Sequence, residues 1–221
     1  MGTLSIVATP IGNLEDITLR ALQVLKKCDV IYAEDTRVIA KLLARYEIKK
    51  PLQRLDAATE GKKADEVTKR LQAGEQVVLV TDAGTPGISD PGARLVAHAR
   101  EAGVRVEAIP GPSALTAALS IAGLPTTEFT FLGFLPHKKG RQTALKKIAV
   151  SNTATILYES PHRILKLLKE LETLDVNRVT IARELTKLHE EVISGIPSGL
   201  LAHFTAHPDR IRGEFVVIVE P

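Results

Sequence analysis

The chain has 221 residues, 44% hydrophobic and 25% charged, the balance of an ordinary globular protein with room for one large domain or two small ones. No apolar run approaches the roughly 20 residues that span a bilayer, and no basic stretch precedes an apolar core at the N-terminus, so neither a membrane span nor a secretory signal is expected. With Cys28 as the only cysteine and no metal-ligand spacing among the six histidines, an internal disulfide is ruled out and no metal site is expected.

The expected location is the cytoplasm. The net charge of +3 is a mild basic bias that suits a polyanionic partner such as RNA. Aromatic residues are only 4% and tryptophan is absent, which argues against a surface that stacks many single-stranded bases.

Strand-like and helix-like segments alternate along the chain. Leu4 to Thr9 reads as a buried strand, followed by a helix over 17–27 whose Leu19, Leu22 and Leu25 share helical spacing. Val30 to Ala33 is a second strand, and Asp35 or Thr36 caps a helix from Val38 to Tyr46. A polar helix near 62–73 leads to the strand Gln76 to Thr81, a helix over 93–102 closed by Gly103, and a strand from Val104 to Ile109. Single helices between strands imply right-handed crossovers and a mostly parallel N-terminal sheet.

Pro110-Gly111-Pro112 marks an interdomain junction, which divides the chain into an N-terminal α/β domain, 1–112, and a C-terminal α/β domain, 113–221. The second half continues with a small-residue helix over 113–123 and strands near 130–134, 155–158 and 179–182. Helices near 142–149 and 161–171 lie between these strands, and the strand Glu214 to Glu220 closes the chain.

In open α/β sheets ligands gather where loops leave the carboxyl ends of strands. Three such loops are rich in glycine and proline: Thr9 to Leu14, Thr81 to Gly92, and Pro110 to Ala114. Glycine admits close backbone approach and proline fixes the loop shape in advance. None matches a phosphate-binding loop or a dinucleotide fingerprint, which disfavours nucleoside triphosphate or NAD chemistry.

Eight segments occur in order: ATPIGNLEDITLRAL, AEDTR, VTDAGTPGISDPG, IPGPSALTAAL, GFLP, YESPHR, ARELTKLHE and GEFVVIVE. Together, from about Leu4 to Glu220, they closely resemble the bacterial 16S rRNA cytidine 2′-O-methyltransferases of the tetrapyrrole methylase superfamily. The resemblance implies two α/β domains with a cofactor cleft between them, S-adenosyl-L-methionine as methyl donor, 16S rRNA or the small ribosomal subunit as partner, and a homodimer. Matched motif by motif, it implies cofactor contacts at Pro10, Ile11 and Gly12, at Asp82, Ala83, Gly84 and Thr85, and at Ser113 and Ala114. From the second domain it implies Tyr158, Glu184, Leu185 and the neighbourhood of Gly213.

Read as chemistry, Asp82 ends a strand and can accept hydrogen bonds from a cofactor, or can serve only its own turn. Asp90 is placed to cap the helix that begins near Pro91. Arg37 reaches an RNA phosphate or forms a surface pair beside an N-cap. Lys138, Lys139 and Arg141, with Lys146 and Lys147, form the densest basic cluster, either an RNA contact or a solvated face. Glu159, His162 and Arg163 form a polar group at a strand end, and Arg183 and Lys187 are further candidates for RNA phosphates.

Glu159, His162, Glu184 and Lys187 could each assist removal of the 2′-hydroxyl proton; the residues do not select among them, and no general base is assigned. The resembled family carries His-x-His-Asn where this chain has Asp56-Ala57-Ala58-Thr59-Glu60. It also includes members that extend past the last strand, whereas this sequence stops at Pro221, so no RNA affinity from such an extension is expected. Two alternatives stay open: methylation of a small tetrapyrrole-type substrate, and a non-catalytic RNA-binding assembly factor of the same fold.

Overall fold

Val77, Val78 and Leu79 are all apolar because the strand they form, β4, lies mid-sheet with both faces covered. The computed structural model describes residues 1–125 and 127–221. Around β4 (Val77–Leu79) the first sheet runs in the order β3 (Leu52–Arg54), β2 (Val30–Ala33), β4, β1 (Thr3–Val7), β5 (Arg105–Ile109), and every pairing is parallel. Alternate strand residues feed opposite faces. Val7, Ile31 and Val78 pack with α1 (Leu19–Lys27) and α2 (Thr36–Arg45), while Leu4, Val77 and Leu79 pack with α3 (Glu60–Gln72) and α4 (Ala93–Glu101). Asp35, not Thr36, caps α2, its side chain accepting from the Arg37 amide at 2.9 Å.

The chain divides into two compact units, Met1–Ser113 and Ala114–Pro221. The second contains α5 (Ala114–Ile121), β6 (Phe129–Phe134), α6 (Arg141–Ala149), β7 (Ala154–Glu159), α7 (Ile164–Thr173), β8 (Val179–Arg183), β9 (Glu191–Gly195), α8 (Pro197–Ala206) and β10 (Phe215–Val219). Its sheet order is β6-β7-β10-β8-β9, parallel only between β6 and β7. The C-terminal run is buried throughout because β10 is the central strand, antiparallel to both neighbours.

Among the described residues the strands β3 and β9 and the helix α8 were not anticipated from the sequence. β3 is a three-residue edge strand with Gln53 and Arg54 exposed, too short to show periodicity. β9 pairs with β8 as an antiparallel hairpin, and β9 and α8 both fall in the stretch between the strands at 179–182 and 214–220 for which no element was expected.

Candidate functional site

All five strands of the first sheet are parallel, so the loops after β1, β4 and β5 leave from one edge. Thr9 and Gly84 exchange both backbone hydrogen bonds, at 2.9 and 3.0 Å, which fastens the first loop to the third. Gly84 needs to be glycine: its φ is +81°, and a Cβ there would point toward Ile11 and the Pro112 carbonyl. Thr85 Oγ1 donates to that same carbonyl at 3.4 Å. Pro10, Ile11, Gly12, Asp82, Ala83, Gly84 and Thr85 are thus gathered into one group, with Ser113 following at the end of the unit. Ala114 opens α5 of the second unit.

Beside this group stands a set of carboxylates. Asp82 Oδ1 accepts the Asp35 backbone N–H at 2.9 Å, which ties the β4 loop to the entrance of α2. Among the described residues its Oδ2 has no hydrogen-bond donor. Burial first, and then the negative charge of Asp82, push the Glu34 carboxyl above the ordinary range. Asp35 is held down at about 2 by its hydrogen bonds from Arg37. The Arg37 guanidinium, paired with Asp35, is still 87% exposed, so it forms the surface pair beside an N-cap and remains open to an anion.

The expected cap of α4 by Asp90 is corrected. The helix begins at Ala93 with Gly92 as its N-cap, and the capping carboxylate is Glu60 of α3, whose Oε1 accepts from Gly92, Arg94 and Leu95. Glu60 is the residue that sequence reasoning missed, because its partners lie more than thirty positions away. Asp56 accepts from Ala58 and Thr59 and so organises the turn before α3.

In the second unit Glu184 and Gly213 meet. A Cβ on Gly213 would lie 1.6 Å from Glu184 Oε1, and Lys187 Nζ binds that oxygen at 2.7 Å. Glu184 and Thr186 both adopt positive φ, at 50° and 65°, backbone strain of the kind that clusters at binding sites. Leu185 between them is buried. A cavity of about 560 Å³ adjoins this loop, lined by Glu184, Leu188, Glu190 and Arg212 among others.

Several basic and acidic residues read as substrate contacts turn inward instead. Arg183 is 5% exposed and donates to Glu191 at 3.1 Å, so it is not available to a phosphate. Lys187 is half-committed to Glu184. Arg141 and Glu159 are buried and share one ion network with the partly buried Arg163, so neither of the two presents its charge to solvent. Tyr158 is packed edge-on against Phe131 and Phe134. His162, Lys138 and Lys139 are exposed.

The family model of tetrapyrrole (corrin/porphyrin) methylases matches residues 3–196. The chain belongs to the tetrapyrrole methylase family. It is accordingly an S-adenosylmethionine-dependent methyltransferase. Among its relatives is the ribosomal RNA small subunit methyltransferase I of Thermotoga maritima, 45% identical over 99% of this chain and 98% of that protein. The protein of the same name from Escherichia coli O157:H7 is 49% identical over 99% of this chain and 78% of its own length. The fold is shared with diphthine synthase, at a TM-score of 0.79 and 17% identity over 99% of this chain and 90% of that one. It is also shared with the cobalt precorrin-4 methyltransferase CbiF, at a TM-score of 0.71 and 19% identity over 99% and 96%.

The first unit's loops fit this family's cofactor. Gly84 keeps open the space that a side chain would fill beside Ile11, and Asp82 Oδ2 is an acceptor without a protein donor among the described residues. Among those residues no group of histidine, cysteine or carboxylate side chains is arranged to hold a metal ion, and no helix is long and apolar enough to cross a membrane.

Proposed function

We propose that this methyltransferase acts on 16S rRNA, methylating the ribose 2′-hydroxyl of a cytidine in the decoding region. The observation that carries the reading is similarity at 45–49% identity, over 99% of this chain, to proteins named ribosomal RNA small subunit methyltransferase I. S-adenosylmethionine supplies an electrophilic methyl group on a sulfonium, so the protein's work is chiefly to hold and align two reactants. Asp82 Oδ2 accepts hydrogen bonds from donor groups of the cofactor, while the tied loops at Pro10–Gly12 and Ala83–Thr85 present backbone groups already fixed in shape. Such rigidity lowers the ordering cost of binding. Tyr158, Glu184, Leu185 and Gly213 are proposed as the second unit's cofactor residues, on the strength of the family motifs and the strained Glu184 backbone.

Arg37, Lys138 and Lys139 are the exposed cations proposed to meet RNA phosphates, with His162 beside them in role. A cytoplasmic homodimer completes the proposal. The edge strand β6 exposes Phe129, Leu132 and Phe134, an apolar border of the kind that a second copy covers. Light scattering on the purified protein tests the dimer.

The test of function is transfer of labelled methyl groups to 30S subunits that lack 2′-O-methylation, with Asp82→Ala as control. Incorporation that is lost in the variant supports the reading. Cofactor binding with no incorporation into any ribosomal substrate removes it.

A further inference from the structure

The link from β6 to α6, Leu135–Gly140, has no regular backbone and exposes His137, Lys138 and Lys139, yet two arginines, Arg141 buried and Arg163 partly buried, hold it in place. Arg163 Nη2 donates to the Leu135 carbonyl at 2.7 Å, and its Nη1 lies 3.5 Å from His137 Nε2. Arg141 Nη1 reaches the Pro136 carbonyl at 3.5 Å. Glu159, at the end of β7, joins the two: Oε1 is 3.2 Å from Arg163 Nε and accepts the Ser160 amide, while Oε2 is 3.7 Å from Arg141 Nη1. Arg141 is balanced on its other side by Glu170, which accepts from Nε and Nη2 at 2.9 and 2.6 Å.

Buried ion networks lose so much solvation that apolar packing of the same volume stabilises a fold as well or better. What charged forks add is direction, since a guanidinium fixes the carbonyls it bonds. Here every fixed carbonyl belongs to the loop that carries the two lysines.

We propose that Arg163 is a positioning residue, which locks the Leu135–Gly140 backbone through the Leu135 carbonyl and His137 and thereby presents Lys138 and Lys139 to the phosphates of the RNA substrate. The proposal rests on the rRNA reading above. A loop already fixed gives up less conformational freedom when it docks, so its lysines bind phosphates more tightly than the same lysines on a loose loop.

The test is affinity for purified 30S subunits, measured by filter binding, with S-adenosylmethionine affinity as a control for folding. Arg163→Lys keeps the charge that Glu159 needs but lacks the fork that reaches Leu135 and His137 together. It is expected to weaken 30S binding about fivefold, and Lys138→Ala/Lys139→Ala about tenfold, as two phosphate contacts are lost. The deciding result is the triple variant, which should bind no worse than the double, because positioning matters only while the lysines are present. Faster hydrogen exchange at the His137–Gly140 amides should accompany Arg163→Lys.

His137→Ala leaves every buried charge paired and so serves if Arg163→Lys does not fold. About a twofold loss is expected from it, again vanishing in the double-lysine background. Wild-type 30S binding that is indifferent to Arg163→Lys and His137→Ala, or losses that multiply in the triple variant, overturns the inference alone. Failure of the wild type to bind 30S subunits at all overturns the inference together with the rRNA reading.

Discussion

Glu60 and Gly92 are 32 residues apart in sequence, and the carboxylate of the first accepts the backbone N–H of the second at 2.9 Å. The same oxygen takes the Arg94 and Leu95 amides, so one buried side chain of α3 satisfies three donors at the start of α4. Gly92 stands at φ +137°, with no room for a Cβ against Leu79. The end of the Thr81–Gly92 loop is therefore fastened by Glu60 and does not depend on its own residues alone. Glu60→Ala strands three donors and is expected to cost about 2–4 kcal/mol, whereas Glu60→Gln, which keeps an acceptor in place, should cost about 1 kcal/mol. Urea midpoints of the two variants against wild type check the order.

Gly213→Ala drives a methyl group into the Glu184 carboxylate and strains a backbone at φ +73°. The expected result is a loss of about 2 kcal/mol or more with weaker cofactor binding, since Lys187 and Glu184 must both move. Glu184→Ala in the same chain opens the space again. The double variant should therefore unfold at a higher urea concentration than Gly213→Ala alone, and equal or lower stability would contradict the contact.

Much of this arrangement is readable from residue order, for identifiable reasons. Glycine and proline at successive strand ends point to gathered loops, and the Thr9–Gly84 bridge and the Thr85–Pro112 bond are what such loops form. The parallel first sheet follows from helices placed singly between strands, and β10 from an unbroken apolar run. What residue types do not convey is the direction in which a charged side chain turns. Arg141, Glu159 and Arg183 sit in polar motifs that read as substrate contacts, yet each is buried and paired. β9 was missed because the chain reverses before it through positive φ at Glu184 and Thr186, neither of them glycine, so no turn signal marks the hairpin. Glu60 was missed because a cap from another helix leaves no local pattern.

Asp82 Oδ1 accepts the Asp35 amide at 2.9 Å while Oδ2 is the proposed cofactor acceptor, and one substitution separates the two. Asp82→Asn retains an acceptor for the Asp35 amide but can turn an NH₂ toward the cofactor where Oδ2 stood. Stability should change by less than about 0.5 kcal/mol while cofactor affinity falls about tenfold, the cost of a lost charge-assisted bond. Calorimetric titration with S-adenosylmethionine measures the second quantity. Unchanged affinity would remove Asp82 from the cofactor site.

Burial raises the Cys28 thiol from 9.0 to about 11, and the thiol donates to the Leu25 carbonyl at 3.3 Å. A thiol whose folded pKa is raised favours folding fully below its unfolded value, and that contribution is lost as pH climbs from about 9 toward 11. Between about pH 8 and about pH 10.5 the loss attributable to this group is about 2 kcal/mol. Cys28→Ala should be less stable at the lower pH, through lost packing, but should fall less steeply. Urea midpoints of both proteins at the two pH values decide it, and parallel slopes would contradict the assignment. Tyr32, pushed up to about 12 mainly by burial, acts in the same direction and remains in both proteins.

The central claim is that this tetrapyrrole methylase-family chain places its methyl group on a ribose of small-subunit RNA. Ribose-specific mapping of 16S rRNA, after incubation of 2′-O-unmethylated 30S subunits with the protein and S-adenosylmethionine, tests it most directly. The account predicts one new 2′-O-methylated cytidine in the decoding region, absent when Asp82→Asn replaces the wild type at limiting cofactor. A methyl group on a base, on a nucleotide elsewhere, or on none despite measured cofactor binding would contradict it.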